Sequence, residues 1–198
     1  MSSSIFKIFG SLVFTLILYM FVSFSLLIDF ENQNMINQVT AQNNPTSSNF
    51  VTYNGSKYGF TIDYPSNWNK TEDSTGIWFF SPVDQTGNIR IQSEPKLNTT
   101  LANLVKAQFI ILQKTHKEVD VLSSTLTTVD GNPANRTNYK FKDEIPKFLG
   151  ADIFDYTAFQ VTTAKDDKLY TFIYFSTPDK FDIFFPIAQK MLGTLKLS

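Results

Sequence analysis

The sequence predicts an α+β domain built mainly from antiparallel strands, and three observations carry that expectation. Short runs rich in aromatic and β-branched residues recur from residue 50 onward, separated by turn signals such as Asn54-Gly55 and Asp130-Gly131. Two segments with helical periodicity, at residues 99–116 and 178–192, are set apart by runs of strands rather than alternating with them. The chain has 20 Phe, 8 Tyr and 2 Trp, a ring content sufficient to build a core without staples. That matters because the chain has no cysteine. Disulfides, thiolate metal sites, a cysteine nucleophile and lipidation at an N-terminal cysteine are therefore excluded.

In chain order, "FVTY" (Phe50 to Tyr53) and "YGFTIDY" (Tyr58 to Tyr64) read as a hairpin around Asn54-Gly55, whose residues tolerate the positive φ of a tight turn. Tyr58, Phe60, Ile62 and Tyr64 fall on one face. Pro65 ends the strand because it has no N–H to donate, and Trp68 folds back to cap the core. "GIWFFSP", with Trp78, and "NIRIQSE" form the third and fourth strands. A helix follows, with Thr99 or Thr100 as N-cap and Leu101, Leu104, Val105 and Leu112 on its buried face. Two strands then flank the turn containing Gly131 and Pro133, and a long hairpin crosses Lys165 to Lys168. The last helix starts at Thr177-Pro178, is kinked or split by Pro186, and stops at Gly193.

The N-terminus is of a different kind. Ile8 to Ile28 is an uncharged apolar run of 21 residues. As a helix it spans ~31 Å, about one hydrocarbon core. Lys7 precedes it, and Asp29 and Glu31 follow, which points the N-terminus to the cytoplasm and the remainder outside. The run is longer than the apolar region of a cleaved signal peptide, and small residues suited to cleavage come only at Val39 to Ala41. Residues 1–28 thus read as a signal anchor or signal peptide, the anchor fitting better; a cleaved segment makes the protein secreted. Residues 29–49, rich in Asn, Gln, Ser and Thr, read as a flexible polar tether, and residues 50–198 as the domain. Without Lys7, Asp29 and Glu31 the 17 basic and 18 acidic groups become 16 and 16, so the domain has no charge footprint for nucleic acid. Asn-x-Ser/Thr sequons stand at Asn54, Asn69, Asn98 and Asn135, about as many as chance provides in this composition.

"YGFTIDYPSNW", "IWFFSPVDQTGNIRI", "VDGNPA" and "LYTFIYFSTPDKFDIFFPIAQKMLGTLKL" resemble, in order and spacing, the pattern of PsbP-like domains, the family of the extrinsic lumenal subunit of the photosystem II oxygen-evolving complex. The signature positions are Tyr58, Phe60, Tyr64, Pro65, Trp68, Trp78, Gly131 and Pro133. The resemblance covers roughly residues 50–198. It implies an α/β/α sandwich with a central antiparallel sheet, a non-enzymatic role at the far side of a membrane, and a link to calcium and manganese retention. Relatives include lipoproteins, a form closed to a chain without cysteine, and a partner of a small GTPase.

Chemistry is sparse. The single histidine, His116, excludes multi-histidine metal sites, and no G-x-S-x-G, P-loop or G-x-G-x-x-G occurs. His116, Glu118 and Asp120 alternate; on an extended segment they share a face and form a candidate site for manganese or a similar ion, and Asp166-Asp167 offer oxygen ligands to calcium but read better as a polar hairpin turn. Phe184 and Phe185 are neighbours on a helix and cannot point the same way, so one of them is a candidate interaction surface. The leading expectation is a non-catalytic, membrane-anchored domain that binds another membrane or extracytoplasmic protein. The alternative is a domain that binds a divalent metal or small ligand.

Overall fold

A computed structural model describes residues 49–82, 88–147 and 150–198, with side chains not described for 145–151. The apolar run 8–28 and the tether up to residue 48 lie outside the described residues. Ten strands form two antiparallel sheets. The smaller has the order β1 (Phe50–Gly55), β2 (Phe60–Pro65), β10 (Lys196–Leu197). The larger runs β3 (Asn69–Glu72), β4 (Gly76–Phe80), β5 (Asn88–Pro95), β9 (Lys168–Ser176), β8 (Gly150–Lys165), β7 (Asn132–Lys147), β6 (Lys117–Val129). Helices α1 (Leu101–Thr115) and α2 (Pro178–Thr194) complete the fold. The expected single sheet is thus divided, because the opening hairpin pairs with the C-terminus instead of with the long strands.

The register of the large sheet aligns two rows of buried apolar side chains. Ile77, Ile91, Phe172 and Val161 lie opposite one another across β4, β5, β9 and β8, and Phe79, Ile89, Tyr174 and Phe159 form the next row. These side chains share one face because strand positions alternate with period two. α2 packs there through Phe184, Ile187, Ala188 and Met191, all buried, and Trp68 meets Phe184 edge-on at 6.1 Å. The helix runs unbroken through Pro186 and one residue past Gly193. Thr177 is its N-cap, but the hydroxyl makes no cap hydrogen bond.

The opposite face is mixed. Gln160, one position from Phe159, points the other way, and there Gln108 of α1 meets it. Gln108 lies on the stripe with Leu104, Val105 and Leu112 where an apolar residue is expected. Its amide donates to Thr171 at 2.9 Å, and its carbonyl accepts from Gln160 at 3.0 Å and Thr162 at 2.9 Å. The buried amides are thus satisfied, which burial requires. The cap of α1 is Thr100, whose hydroxyl accepts from the N–H of Asn103.

The turns differ from expectation in two places. Gly55 is paired with Phe60 inside the hairpin, and the residue with positive φ is Gly59, at 88°. A Cβ on Gly59 would also lie 2.7 Å from the Tyr170 hydroxyl and 3.0 Å from the Ser198 carbonyl. Tyr58 therefore belongs to the turn, yet it remains buried, with its hydroxyl donating to the Asp73 carbonyl at 2.6 Å. At the other hairpin Asp130 (φ 49°) and Gly131 (φ 77°) form a two-residue turn, so Pro133 already lies in β7.

Arg90 is buried on the mixed face. Its guanidinium donates to Asp73 at 2.7 Å, Thr75 at 2.9 Å and Gln92 at 2.9 Å, and it lies 4.6 Å from the centre of the Trp78 ring. Asp73 also accepts from the Thr75 hydroxyl and from the N–H groups of Thr75 and Gly76. Burial pushes the Asp73 carboxyl up, but Arg90 and Thr75 outweigh it and hold the group below the usual carboxylate range. Burial pulls Arg90 down despite the same pair. The Asp73 direction decides the acid response, because a guanidinium stays charged throughout the working pH range.

Asp73→Ala is expected to cost ~3–5 kcal/mol in denaturant unfolding, because a buried cation is stranded, while Asp73→Leu combined with Arg90→Met recovers only part of the loss, since the Thr75 and Gly76 N–H groups lose their acceptor. Because the folded carboxyl titrates below its unfolded value of ~3.9, its contribution is complete above that pH and is lost as the pH falls through the lower, folded value. Asp73→Asn should therefore flatten the acid side of the stability profile; an unchanged profile contradicts this assignment.

Candidate functional site

The structure disperses the residues proposed as metal ligands. His116 caps the C-terminus of α1, and its Nδ1 lies 3.1 Å from Asp143 Oδ1, with the ring edge-on to Phe141 at 4.7 Å. Glu118 adopts φ 51°, and a bulge between Lys117 and Asp120 breaks the alternation that would have aligned the three side chains. Glu118 pairs with Lys142, and Asp120 is in register with Lys140. The donor set does not converge, and no three His, Asp or Glu side chains gather as a cation cage among the described residues. Asp166 and Asp167 form the two-residue turn between Lys165 and Lys168.

Phe184 is not a surface residue: it is 2% exposed and lies within the core cluster. Phe185 is half-buried, edge-on to Phe159 at 5.4 Å and stacked on Phe181 at 5.3 Å. Neighbouring positions on α2 diverge by about 100°, yet both rings find partners, Phe184 toward Trp68 and Phe185 toward β8. Of the signature residues, Tyr58, Phe60 and Trp68 are buried. Tyr64 packs partly buried against the core, and Trp78 stacks on Phe80.

Two surface features remain. The first is β6, the outer strand of the large sheet. All its residues are exposed except Val119, half-buried, and Val129, buried. Val121 is 42% exposed, Leu122 50% and Leu126 86%. Bulges interrupt the half up to Leu122, whereas Ser123 to Val129 pair regularly with β7, so their outward backbone groups form a straight edge.

The second is an open cleft of about 280 Å³ between the β6–β7 turn, the sheet and the C-terminal half of α2. Its floor holds Phe159, Val161 and Arg136. Arg136 lies opposite Val161, at the next position of the Ile77–Ile91–Phe172–Val161 row. Its guanidinium carbon lies 4.7 Å from the centre of the Phe159 ring and 5.9 Å from that of Phe185. At the rim Asp130 accepts from Lys196 at 3.1 Å and from the Leu197 N–H at 3.0 Å, contacts that hold its carboxyl below the ordinary range. Sequence reading missed Arg136. Its signal was an arginine within a strand at an inward-facing position, hidden inside a sequon.

No family model matches the chain, and no curated protein matches it in sequence. Among solved structures it is similar to cyanobacterial PsbP (CyanoP) from Synechocystis sp. PCC 6803, with a TM-score of 0.59 and 14% identity over 76% of this chain and 94% of that one. A protein of unknown function from Pseudomonas aeruginosa gives a TM-score of 0.52 and 14% identity over 75% and 97% of the two chains. The fold is therefore PsbP-like, a mostly antiparallel sheet with two helices.

Phe184→Ala is expected to cost ~3–5 kcal/mol in urea unfolding, as for other core rings. Phe185→Ala should cost clearly less. Equal losses would contradict the placement of the two rings.

Proposed function

We propose that the chain is a non-catalytic α/β/α domain, carried outside the cytoplasm by its N-terminal apolar segment, that binds another protein at the membrane surface through the edge of β6. The observation that carries this reading is the edge itself. Proteins protect their outer strands with charges, prolines or bulges, since a straight row of unpaired N–H and C=O groups invites another strand. Here the half with charges and bulges ends at Leu122, and the straight half presents Leu126 almost fully to solvent. The occupant that fits is an extended segment of a partner, added as a further strand: backbone hydrogen bonds supply affinity and Leu126 supplies an apolar contact.

The non-catalytic part is supported by the PsbP-like fold and by the surroundings of the one histidine, which is engaged by Asp143 and Phe141. The placement outside the membrane is supported by the charge pattern around residues 8–28.

A photo-crosslinking residue at Leu126 in the full chain, expressed in its native membranes, is expected to capture one discrete partner. The same group at Lys190, exposed on α2, is the control. Capture at Leu126 alone, abolished by Pro at Thr125, supports the edge; equal capture at both positions or none at Leu126 overturns it.

A further inference from the structure

The chain has two arginines, and they are treated oppositely. Arg90 has a carboxylate and two further acceptors. Arg136 touches only the rings of Phe159 and Phe185 and has no hydrogen-bond acceptor or carboxylate partner among the described residues. We infer that the Arg136 cleft binds a small monocarboxylate, the carboxylate held by the guanidinium. This site is separate from the β6 edge: Arg136 points to the α2 side of the sheet, while Leu126, opposite Asn135, points to the other.

Geometry favours a carboxylate. A guanidinium lying over an aromatic ring has that face covered, and its N–H donors point outward in its own plane, where they match the two oxygens of a carboxylate. The charge balance favours a single negative charge. The charged residues of the cleft are Arg136, Lys196 and Asp130, two cations and one anion, net +1. Lys196 and Asp130 satisfy each other, so the remaining charge is that of Arg136. The negative end of α2 lies nearby, but two of its terminal carbonyls are engaged: Met191 accepts from the Thr194 hydroxyl and Leu192 from the Leu195 N–H.

The walls are mixed: Leu192 presents aliphatic surface, Thr127, Thr128 and Gln189 line the cleft with polar groups, and Val161 and Leu195 are almost wholly buried beneath it. The volume, about 280 Å³, equals that of ~9 waters at ~30 Å³ each and lies at the small end of ligand pockets. A body of a few carbon atoms fits within it. Gly193 leaves one wall low, since a Cβ there meets nothing within 4 Å. A longer side chain at that position can therefore enter the cleft without displacing the fold.

The probes are hexanoate and benzoate, with hexanamide and benzamide as neutral counterparts, measured on the full chain by saturation-transfer NMR and titration calorimetry. Saturable binding of the acids is expected, with at least about tenfold weaker binding of the amides. Arg136→Gln should weaken the acids by about tenfold or more and leave the amides unaffected. Gly193→Met should abolish binding without lowering the melting temperature, which separates a filled cleft from an unfolded one. A peptide ending in a free leucine carboxylate, and its amidated form, make up the second arm. If the free peptide binds more tightly than hexanoate, with the same dependence on Arg136, the carboxylate is that of a chain terminus. No saturable binding of either acid or the free peptide up to about 10 mM, equal affinity of acid and amide, or wild-type affinity in Arg136→Gln overturns the inference.

Discussion

The structure depends on one register. Ile77, Ile91, Phe172 and Val161, and beside them Phe79, Ile89, Tyr174 and Phe159, meet across four strands only if β4, β5, β9 and β8 are aligned as they are. A slip of one residue in any strand would turn its apolar set to the other face. Everything on the α2 side follows from these rows. α2 buries its apolar stripe on them, Trp68 closes the end beside Phe184, and the small sheet takes its place because Tyr53, Phe60 and Ile62 extend the same core. With no cysteine in the chain and no metal cage among the described residues, burial of these rings is the main stabilising force, on the order of 1.5–3 kcal/mol per fully buried large apolar side chain.

The same alternation leaves the other face mixed, with Tyr139, Phe141 and Phe175 beside polar groups, and polarity there is resolved by pairing rather than by exclusion. Gln108, Gln160, Thr162 and Thr171 satisfy one another beneath α1, and Arg90 with Asp73 does so near Trp78. Such networks are costly if half made, so they specify how α1 docks more than they add net stability. Arg136 departs from this on the apolar side: it occupies the row position after Val161 and is held by rings instead of acceptors. The two surface features thus have different origins: β6 is open because the sheet ends there, and the Arg136 cleft because an apolar row ends in a charge.

Much of the fold was legible because strong local signals agreed with tertiary demand. Thr100 before the Leu104–Val105 stripe, Asp130-Gly131 between two strands, and the alternation of Phe60 and Ile62 act within a few residues of themselves. What was not legible depends on distant partners. β3 is a wholly exposed four-residue strand with no apolar alternation, and it exists because β4 offers an edge. β10 is two residues that pair with Thr61 and Phe60. The split into two sheets follows from that pairing, which no local pattern announces. The candidate site was less legible still. The alternation of His116, Glu118 and Asp120 assumed a regular strand, and a bulge with Glu118 at positive φ removed that premise. Phe184 and Phe185 looked like one buried and one free ring because the aromatic shell around α2 on both sides was not visible. Arg136 stands out only once its strand neighbours are known to be core.

The contrast between the locked centre of the large sheet and its open edge is tested most directly by amide hydrogen exchange on the full chain. Amides of β5, β9 and β8 facing neighbouring strands should exchange only with global unfolding, while alternate amides from Ser123 to Val129 in β6 exchange as freely as unpaired backbone. Protection along both sides of β6 equal to that of β9 would mean that the edge is covered, and the account of an open sheet edge awaiting a partner strand would be wrong.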